Sequence, residues 1–456
     1  MRRSWSFVDR VSRSSLVVGS IAAAEARRIE ESGGIVVPDS GSTNVRGWKS
    51  SMVELPPAGT SPRPFSPVDQ RALGAIAAQF FVNGALFASF IPRLPEIRDR
   101  VGITIAGVGL LMSIAAVTGL IASATVGRAI SRFGTRRVML VAGTVVSLSL
   151  PIVGLATTPV VLLIGLAAML GFDVFVDVTM NMQGSWLSAR RHTPVMNRLH
   201  GLWSLGTVIG GVSSSRIAAA GVSLSVHLMA AGVILLAVLV YVGRGILRND
   251  EQHQTSNANP QNENQVLRFS PVLALFLLAG FFAIAVESTS IEWAAFRLTD
   301  DYAASAGFAA LAYVAVTTGM TIGRFAGDWA TVQLGPQRLT RLSLALSGTG
   351  LAAASLVSDR YLNLAGYTIA GLGIATLLPM LYDTAAQHPG KAGAGLGALT
   401  AGLRTGSLTI PLAVGTLAAT SLSVGSAIAI VALPSIVGFA IVTIALNRKP
   451  SPANPA

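Results

Sequence analysis

A short basic stretch, GRAISRFGTRR, occupies residues 127–137 and separates two long apolar runs of this 456-residue chain. A related stretch, GRFAGDW, occupies residues 323–329 and again follows a long apolar run. Charged side chains enter the hydrocarbon of a membrane only at a cost, so each stretch predicts a loop that joins two membrane helices. Because the pattern occurs twice, it indicates a chain built from two related halves.

The composition of the whole chain supports a membrane protein. Hydrophobic residues make up 52% and charged residues 12%, and the mean hydropathy is +0.61. A soluble domain carries about 25% charged residues, so this chain has too few to cover a soluble protein of its size. The net charge of +12 lies in short loops rather than on a polar face with interleaved aromatic side chains, which argues against nucleic-acid binding. Cysteine is absent from the sequence, so disulfides and thiolate metal sites are excluded.

Twelve apolar runs each approach the ~20 residues that a helix needs to cross the hydrocarbon. They occupy residues 70–93, 103–126, 138–156, 159–182, 199–220, 224–243, 270–291, 304–325, 340–357, 361–383, 395–419 and 422–446. We therefore predict an all-α membrane protein with twelve transmembrane helices in two six-helix halves, 69–246 and 269–447. An even number of spans places both termini on the same side of the membrane.

Three polar segments flank these halves. Residues 1–68, rich in Ser, Gly, Pro and Arg, are predicted to form a disordered cytoplasmic tail. Residues 247–268 form an Asn/Gln-rich cytoplasmic linker, and residues 448–456 form a short C-terminal tail. Arginine and lysine concentrate in alternate loops, which predicts that these loops face the cytoplasm. We expect a monomer in the inner or plasma membrane of the cell, with both termini in the cytoplasm.

The two basic stretches resemble the loops between spans 2 and 3, and between spans 8 and 9, of the major facilitator superfamily. The resemblance implies two six-helix bundles that alternate access to a central site, and a gating role for the two stretches as cytoplasmic latches. In this chain Ser131 stands where the family has an acidic residue, so we expect the first latch to lack its customary ion pair. Alternatively, the first stretch only sets topology. The candidate gating residues are Gly127, Arg128, Arg132, Gly134, Arg136, Arg137, Gly323, Arg324 and Asp328.

Local sequence in spans 4 and 5 narrows the resemblance. The segments DVTMNMQG at 177–184 and HGLWSLG at 200–206 resemble a poorly characterised bacterial inner-membrane subfamily, distantly similar to the fucose permease branch. This resemblance implies that spans 1, 4, 7 and 10 line the cavity. Span 5 continues as GTVIGG at 206–211, in which Gly206 and Gly210 are spaced for close helix contact. The Gly-Pro pair usual in drug-efflux antiporters is missing there, which favours uptake by proton symport.

Polar side chains inside the spans identify candidate substrate and proton sites, because a charge at the bilayer centre costs about 2.5–3.5 kcal/mol and seldom faces lipid. Asp173, Asp177 and Asn181 recur every four residues along one face of span 4, where a carboxylate could carry a proton. His200 near the start of span 5 is a further candidate. Asp177, Asn181 and His200 could instead only tie the ends of spans 4 and 5 together.

Arg404, near the middle of span 11, is always protonated and needs a carboxylate partner or an anionic ligand. Asp173 and Glu287 are its candidate partners, in a transport site or in a permanent structural ion pair. Asn83 in span 1 could bond a substrate hydroxyl or a neighbouring helix. Trp203 could stack on a sugar ring or pack in the core.

Two further residues, Glu292 and Trp293, end span 7 and are expected at the membrane interface, where tryptophan is common.

These observations predict a secondary transporter of a small solute, working by proton-coupled uptake of a sugar-like or other polar metabolite. A proton-driven efflux antiporter and a non-transporting membrane ligand sensor are the alternatives. The sequence contains no Walker phosphate loop and no H-E-x-x-H motif, and its five histidines are scattered. An ATP-driven pump, an enzyme, a metal site and a cofactor are therefore not predicted.

Overall fold

The computed structural model describes residues 66–191, 195–247, 270–386 and 393–447. Within these ranges every element of regular secondary structure is helical. The predicted N-terminal tail, the linker and the C-terminal tail lie outside the described residues, apart from residues 66–68 and 247.

Twelve long helices are formed by the described residues, and the all-α prediction is confirmed. They are α1 Pro67–Phe90; α2 and α3, which are the two parts, 105–133 and 135–155, of the stretch Ile105–Leu155; α4 Pro159–Arg191; α5 Met196–Ala219; α6 Leu224–Gly245; α7 Pro271–Glu292; α8 Ala306–Leu334; α9 Pro336–Leu356; α10 Arg360–Ala386; α11 Ala394–Ala418; and α12 Val424–Asn447. A short helix follows the first span of each half, Leu94–Val101 after α1 and Ala294–Tyr302 after α7. The order of elements is therefore the same in α1–α6 as in α7–α12.

Eight of the helical stretches are long and apolar enough to cross a membrane, judged by length and composition. One of them, Ile105–Leu155, has 51 residues and so supplies two crossings, since one needs only ~20. The other three long helices, α5, α9 and α11, contain more glycine, serine and threonine, which lowers their hydropathy. Small and hydroxylated residues are common where membrane helices pack on one another rather than on lipid.

The turn between α2 and α3 is built around Gly134. Its φ of 76° and ψ of 155° are left-handed values that favour glycine over other residues. Gly335, with a φ of 73°, separates α8 from α9 in the same way. Arg136 donates from Nε and Nη2 to the carbonyl of Gly243, which ties the first turn to the end of α6. We call the side of the bundle that carries these two turns the signature side.

The opposite side carries the two short helices, and each is anchored by a buried arginine. Arg93 of the first half is 3% exposed and donates to Glu96 at 2.8 Å. Arg297 of the second half is 6% exposed and pairs with Asp301. Each arginine also donates to a loop carbonyl of its own half. The two halves thus use the same device to hold their short helices.

An ion pair joins the halves on this opposite side. Arg98 of the first short helix donates to Asp300 of the second at 2.5 Å, and its guanidinium lies 5.4 Å from the centre of the Phe296 ring. Nearby, the hydroxyl of Ser215 in α5 donates to the carbonyl of Gly307 in α8 at 2.7 Å. The opposite side of the bundle is therefore closed by direct contacts between the halves.

One sequence expectation on this side is wrong. Trp293 is fully buried, with its ring 5.3 Å from that of Phe296, rather than exposed at the membrane interface. The reason is that α7 ends at Glu292 and the chain turns at once into the second short helix, which carries Trp293 into the core. Glu292 is half-buried and accepts a hydrogen bond from Ser288 at 2.7 Å.

Candidate transport site

Helices α1 and α5 cross at close range beside the candidate site. A Cβ atom on Gly84 of α1 would overlap the carbonyl of Trp203, and one on Gly206 of α5 would overlap the carbonyl of Phe81. This confirms the close contact expected from Gly206. Because the two backbones touch, Asn83, the neighbour of Gly84, lies directly beside the Trp203 side chain.

Asn83 connects three helices of the first half. Its Nδ2 donates to Oδ1 of Asp173 in α4 at 2.7 Å, and its Oδ1 accepts from Nε1 of Trp203 in α5 at 2.9 Å. Asn83 is only 5% exposed, whereas Asp173 and Trp203 are half-buried. The amide therefore bridges a carboxylate and an indole that open toward the space between the two halves.

Arg404 brings the second half to this carboxylate. Its guanidinium lies close enough to Asp173 and Asp177 for their charges to interact. A Cβ atom on Gly119 of α2 would lie 3.8 Å from an Arg404 guanidinium nitrogen, so the side chain reaches into the first half. Within the described part of the chain, Arg404 forms no ion pair shorter than 4.0 Å. Glu287, the other partner considered for Arg404, interacts with a different arginine.

That arginine is Arg324 of the second basic stretch. Its Nη1 donates to the hydroxyl of Ser204 in α5 at 3.0 Å, and its guanidinium lies 5.2 Å from the centre of the Trp203 ring. Its charge interacts with that of Glu287 in α7. Arg324 therefore lies at the contact between the halves, next to Trp203.

A small cavity of about 20 Å³ lies beside Arg324, with room for one water molecule. It is lined by side chains of α5, α7 and α8, namely Trp203, Thr207, Ile291, Tyr313, Thr317, Met320, Thr321 and Arg324. Tyr313 is 2% exposed and lines this cavity. Sequence reasoning missed Tyr313, Thr317 and Thr321, although their spacing of four residues along α8 is a signal for one polar helix face.

The other predicted residues lie toward the signature side. Asp177 is exposed, and Asn181 donates only within α4, to the backbone and side chain of Asp177. His200 is exposed, and its ring meets the edge of Phe80 at 5.2 Å. Tyr382 of α10, which sequence reasoning also missed, is 41% exposed and lies near the charges of Arg404, Asp177 and Glu287. In the described ranges, no group of three or more potential ligands could hold a metal ion.

The first basic stretch lies apart from these residues. Gly127, Arg128, Arg132 and Arg137 are exposed, and Arg132 lies over the ring of its neighbour Phe133 at 5.3 Å. In the second stretch Gly323 is buried and Asp328 is exposed. The structure thus brings Asn83, Asp173, Trp203, Glu287, Arg324 and Arg404 together near the middle of the bundle and leaves the first stretch at the surface.

Two repeated six-helix halves with charged side chains at their contact define a secondary transporter rather than an enzyme. The sequence model of the Major Facilitator Superfamily matches residues 76–401. The chain belongs to the Major Facilitator Superfamily, as expected from its two basic stretches, and it is a multi-pass membrane protein.

Curated relatives are transporters or membrane proteins of bacteria. The chain is 26% identical over 310 residues to an uncharacterized MFS-type transporter of Yersinia pestis, covering 68% of this chain and 79% of the relative. It is 25% identical over 322 residues to the membrane protein MosC of Rhizobium meliloti, covering 71% of this chain and 77% of the relative.

Solved structures of the same fold include two transporters. A mutant of the nucleoside transporter NupG superimposes with a TM-score of 0.69 at 12% identity, covering 84% of this chain and 100% of that chain. A bacterial homolog of the human lysosomal transporter Spinster, in an inward-facing and occupied conformation, superimposes with a TM-score of 0.60 at 14% identity, covering 84% and 96%. At these identities the likeness concerns the fold alone.

Proposed function

We propose that this transporter takes up a small polar metabolite together with protons, and that Asp173 is the proton carrier. The observation that carries this proposal is the position of Asp173 between Asn83 of its own half and Arg404 of the other half. A carboxylate between these two groups changes its net interaction with both halves when it gains a proton. Such a change is what coupling of protons to alternating access requires.

The lining of the site favours a polar solute. Arg404 lies near Asp173, Arg324 lies over the ring of Trp203, and Tyr313 lines the adjoining cavity. A sugar-like molecule offers hydroxyls to such charged and polar groups and an apolar ring face to the indole. A lipophilic cation would be repelled by the two fixed guanidinium groups of Arg324 and Arg404.

The contacts between the halves support alternating access. Arg98 and Asp300 close the opposite side, whereas Asp177, His200 and Tyr382 are exposed toward the signature side. We propose that the site opens to the signature side in this state, and that rocking of the halves breaks the Arg98–Asp300 pair to open the other side.

The first experiment is a thermal-shift screen of the purified full chain against sugars, organic acids and lipophilic cations at two pH values. A bound ligand stabilises the folded state by mass action, so a sugar or other polar hit that strengthens at low pH supports proton-coupled uptake. A response to lipophilic cations alone would overturn it and favour efflux.

Transport of the hit is then measured in proteoliposomes that contain a pH-sensitive dye. Uptake should acidify the lumen, and Asp173→Asn should abolish this proton movement. Asp383→Asn, which neutralises an exposed carboxylate on α10, is the matched control and should retain it. Proton movement that persists unchanged in Asp173→Asn would exclude Asp173 as the carrier.

A further inference from the structure

We propose that Asn83 is a positioning residue that transmits the protonation of Asp173 to Trp203, and through Trp203 to the contact with Arg324 of the other half. The inference rests on the proposed role of Asp173 and goes beyond it, because it names the path by which protonation of Asp173 affects the contact between the halves. The path consists of two hydrogen bonds and one stacked pair.

The direction of each hydrogen bond follows from the chemistry of the donors. An indole Nε1–H can only donate, so the atom of Asn83 that faces Trp203 must be the amide oxygen. The amide nitrogen must then face Asp173, where it donates to Oδ1 at 2.7 Å. The orientation of Asn83 is therefore set by Trp203 on one side and requires an acceptor on the other.

Protonation of Asp173 weakens this arrangement. A bond from an amide N–H to a carboxylate is charge-assisted and roughly twice as strong as a bond between neutral groups. When Asp173 takes a proton from solution, its charge is lost and Asn83 is held less firmly. Protonated Asp173 also becomes a donor, which competes with Trp203 for the only oxygen of the amide.

Trp203 carries the change to the second half. Its ring lies under the guanidinium of Arg324, and the hydroxyl of the next residue, Ser204, accepts a hydrogen bond from the same guanidinium. α5 therefore presents two contacts to Arg324 on adjacent residues. A shift of the indole alters the stacked contact, which lies at the junction along which the halves must move.

Other charged groups also face these residues. Asp177 and Arg404 face Asp173, and His200 and Glu287 both face Arg324. His200 is titratable and precedes Trp203 by one helical turn, so the test must separate its titration from that of Asp173.

The test uses fluorine NMR of the full chain labelled with 5-fluorotryptophan. The chain has six tryptophans, and the Trp203 signal is the one that disappears in Trp203→Phe. The Trp203 signal should move with pH in the unmodified chain and in His200→Gln. It should cease to move in Asp173→Asn, and its movement should be lost in Asn83→Leu.

The signals of Trp186 and Trp293, which are half-buried and fully buried in the described helical bundle, report whether each variant is folded. Asn83→Ser serves as a second variant, because its short side chain cannot bridge partners on both sides. A Trp203 signal that titrates in folded Asn83→Leu or Asn83→Ser as it does in the unmodified chain would overturn the relay. So would a titration that disappears in His200→Gln.

Failure of the relay can be told apart from failure of the proposed function. If the Trp203 signal still titrates in the Asn83 variants but Asp173→Asn abolishes proton movement in proteoliposomes, only the relay is wrong. If Asp173→Asn leaves proton movement unchanged, the assignment of Asp173 as the proton carrier is wrong.

Discussion

The two basic stretches of this transporter have similar sequences and different surroundings. Gly127 has open space where a Cβ atom would lie, and Arg128 is exposed. Gly323 packs against α10, and Arg324 contacts Ser204 and Trp203 of the other half. The second copy of the repeat has therefore become part of the candidate transport site, while the first lies at the surface in this state.

The difference shows that a duplicated motif does not fix a duplicated role. Both stretches follow a long apolar span, and each is accompanied by a glycine turn with positive φ, at Gly134 within the first stretch and at Gly335 after the second. What differs is the helix face on which the arginine lies. Seven residues before Arg324, Thr317 is 4% exposed, whereas Ile121, seven residues before Arg128, is 59% exposed.

The strongest test of this comparison removes each arginine. Arg324→Ala deletes a charged hydrogen bond and a stacked contact between the halves, together worth about 1.5–3 kcal/mol. We expect transport of the hit to fall about 10- to 100-fold. Arg128→Ala should lower transport much less, because Ser131 leaves the first latch without its acidic partner. Equal losses in the two variants would mean that both copies act alike in the transport cycle.

A second test probes packing around each glycine. A Cβ atom on Gly323 would lie 2.6 Å from the Cβ of Ala375 and 2.7 Å from the carbonyl of Leu372. Gly323→Ala should therefore lower stability by about 1–3 kcal/mol, the usual cost of overpacking. In Gly127→Ala nothing is crowded, and stability should stay constant or rise by up to ~1 kcal/mol. Thermal unfolding of the two purified variants measures this, and a stable Gly323→Ala would contradict the close packing of α8 on α10.

A third test asks how Arg324 acts. Arg324→Lys keeps the charge opposite Glu287 but loses the planar group that stacks on Trp203. Loss of a contact of ~0.5–1 kcal/mol should reduce transport about 2- to 5-fold. A double-mutant cycle with Trp203→Leu gives the coupling directly. If the effects of Arg324→Lys and Trp203→Leu are simply additive, the stacked pair does not contribute.

Sequence reasoning reached the fold and many of the site residues for identifiable reasons. Apolar runs of membrane length report spans directly, and a charged or amide side chain inside a span, such as Asp173 or Arg404, is costly enough to indicate a site. The sequence alone could not show which of these residues contact one another. Whether Glu287 meets Arg404 or Arg324 depends on how α7, α8 and α11 are rotated against the first half.

The position of Arg324 escaped prediction for a related reason. The apolar run was expected to end at residue 325, but α8 continues to Leu334, so Arg324 lies well inside the helix. A helix extends past its apolar run because its backbone hydrogen bonds are satisfied internally, in hydrocarbon or in water. Apolar length therefore marks where the chain leaves the hydrocarbon and does not mark where the helix ends.

The smallest expected effect comes from restoring the missing acid of the first copy. Ser131 lies on the exposed end of α2, and its hydroxyl donates to the carbonyl of Arg128. In Ser131→Asp the new carboxylate would lie among Arg128 and Arg132, which are also exposed, so an ion pair there should contribute only ~0–1 kcal/mol. We expect a slight rise in thermal stability at low ionic strength that disappears in ~1 M salt, where the screening length is about 3 Å. A large gain that resists salt would instead show that the first copy has a buried partner surface, as the second copy has in α5.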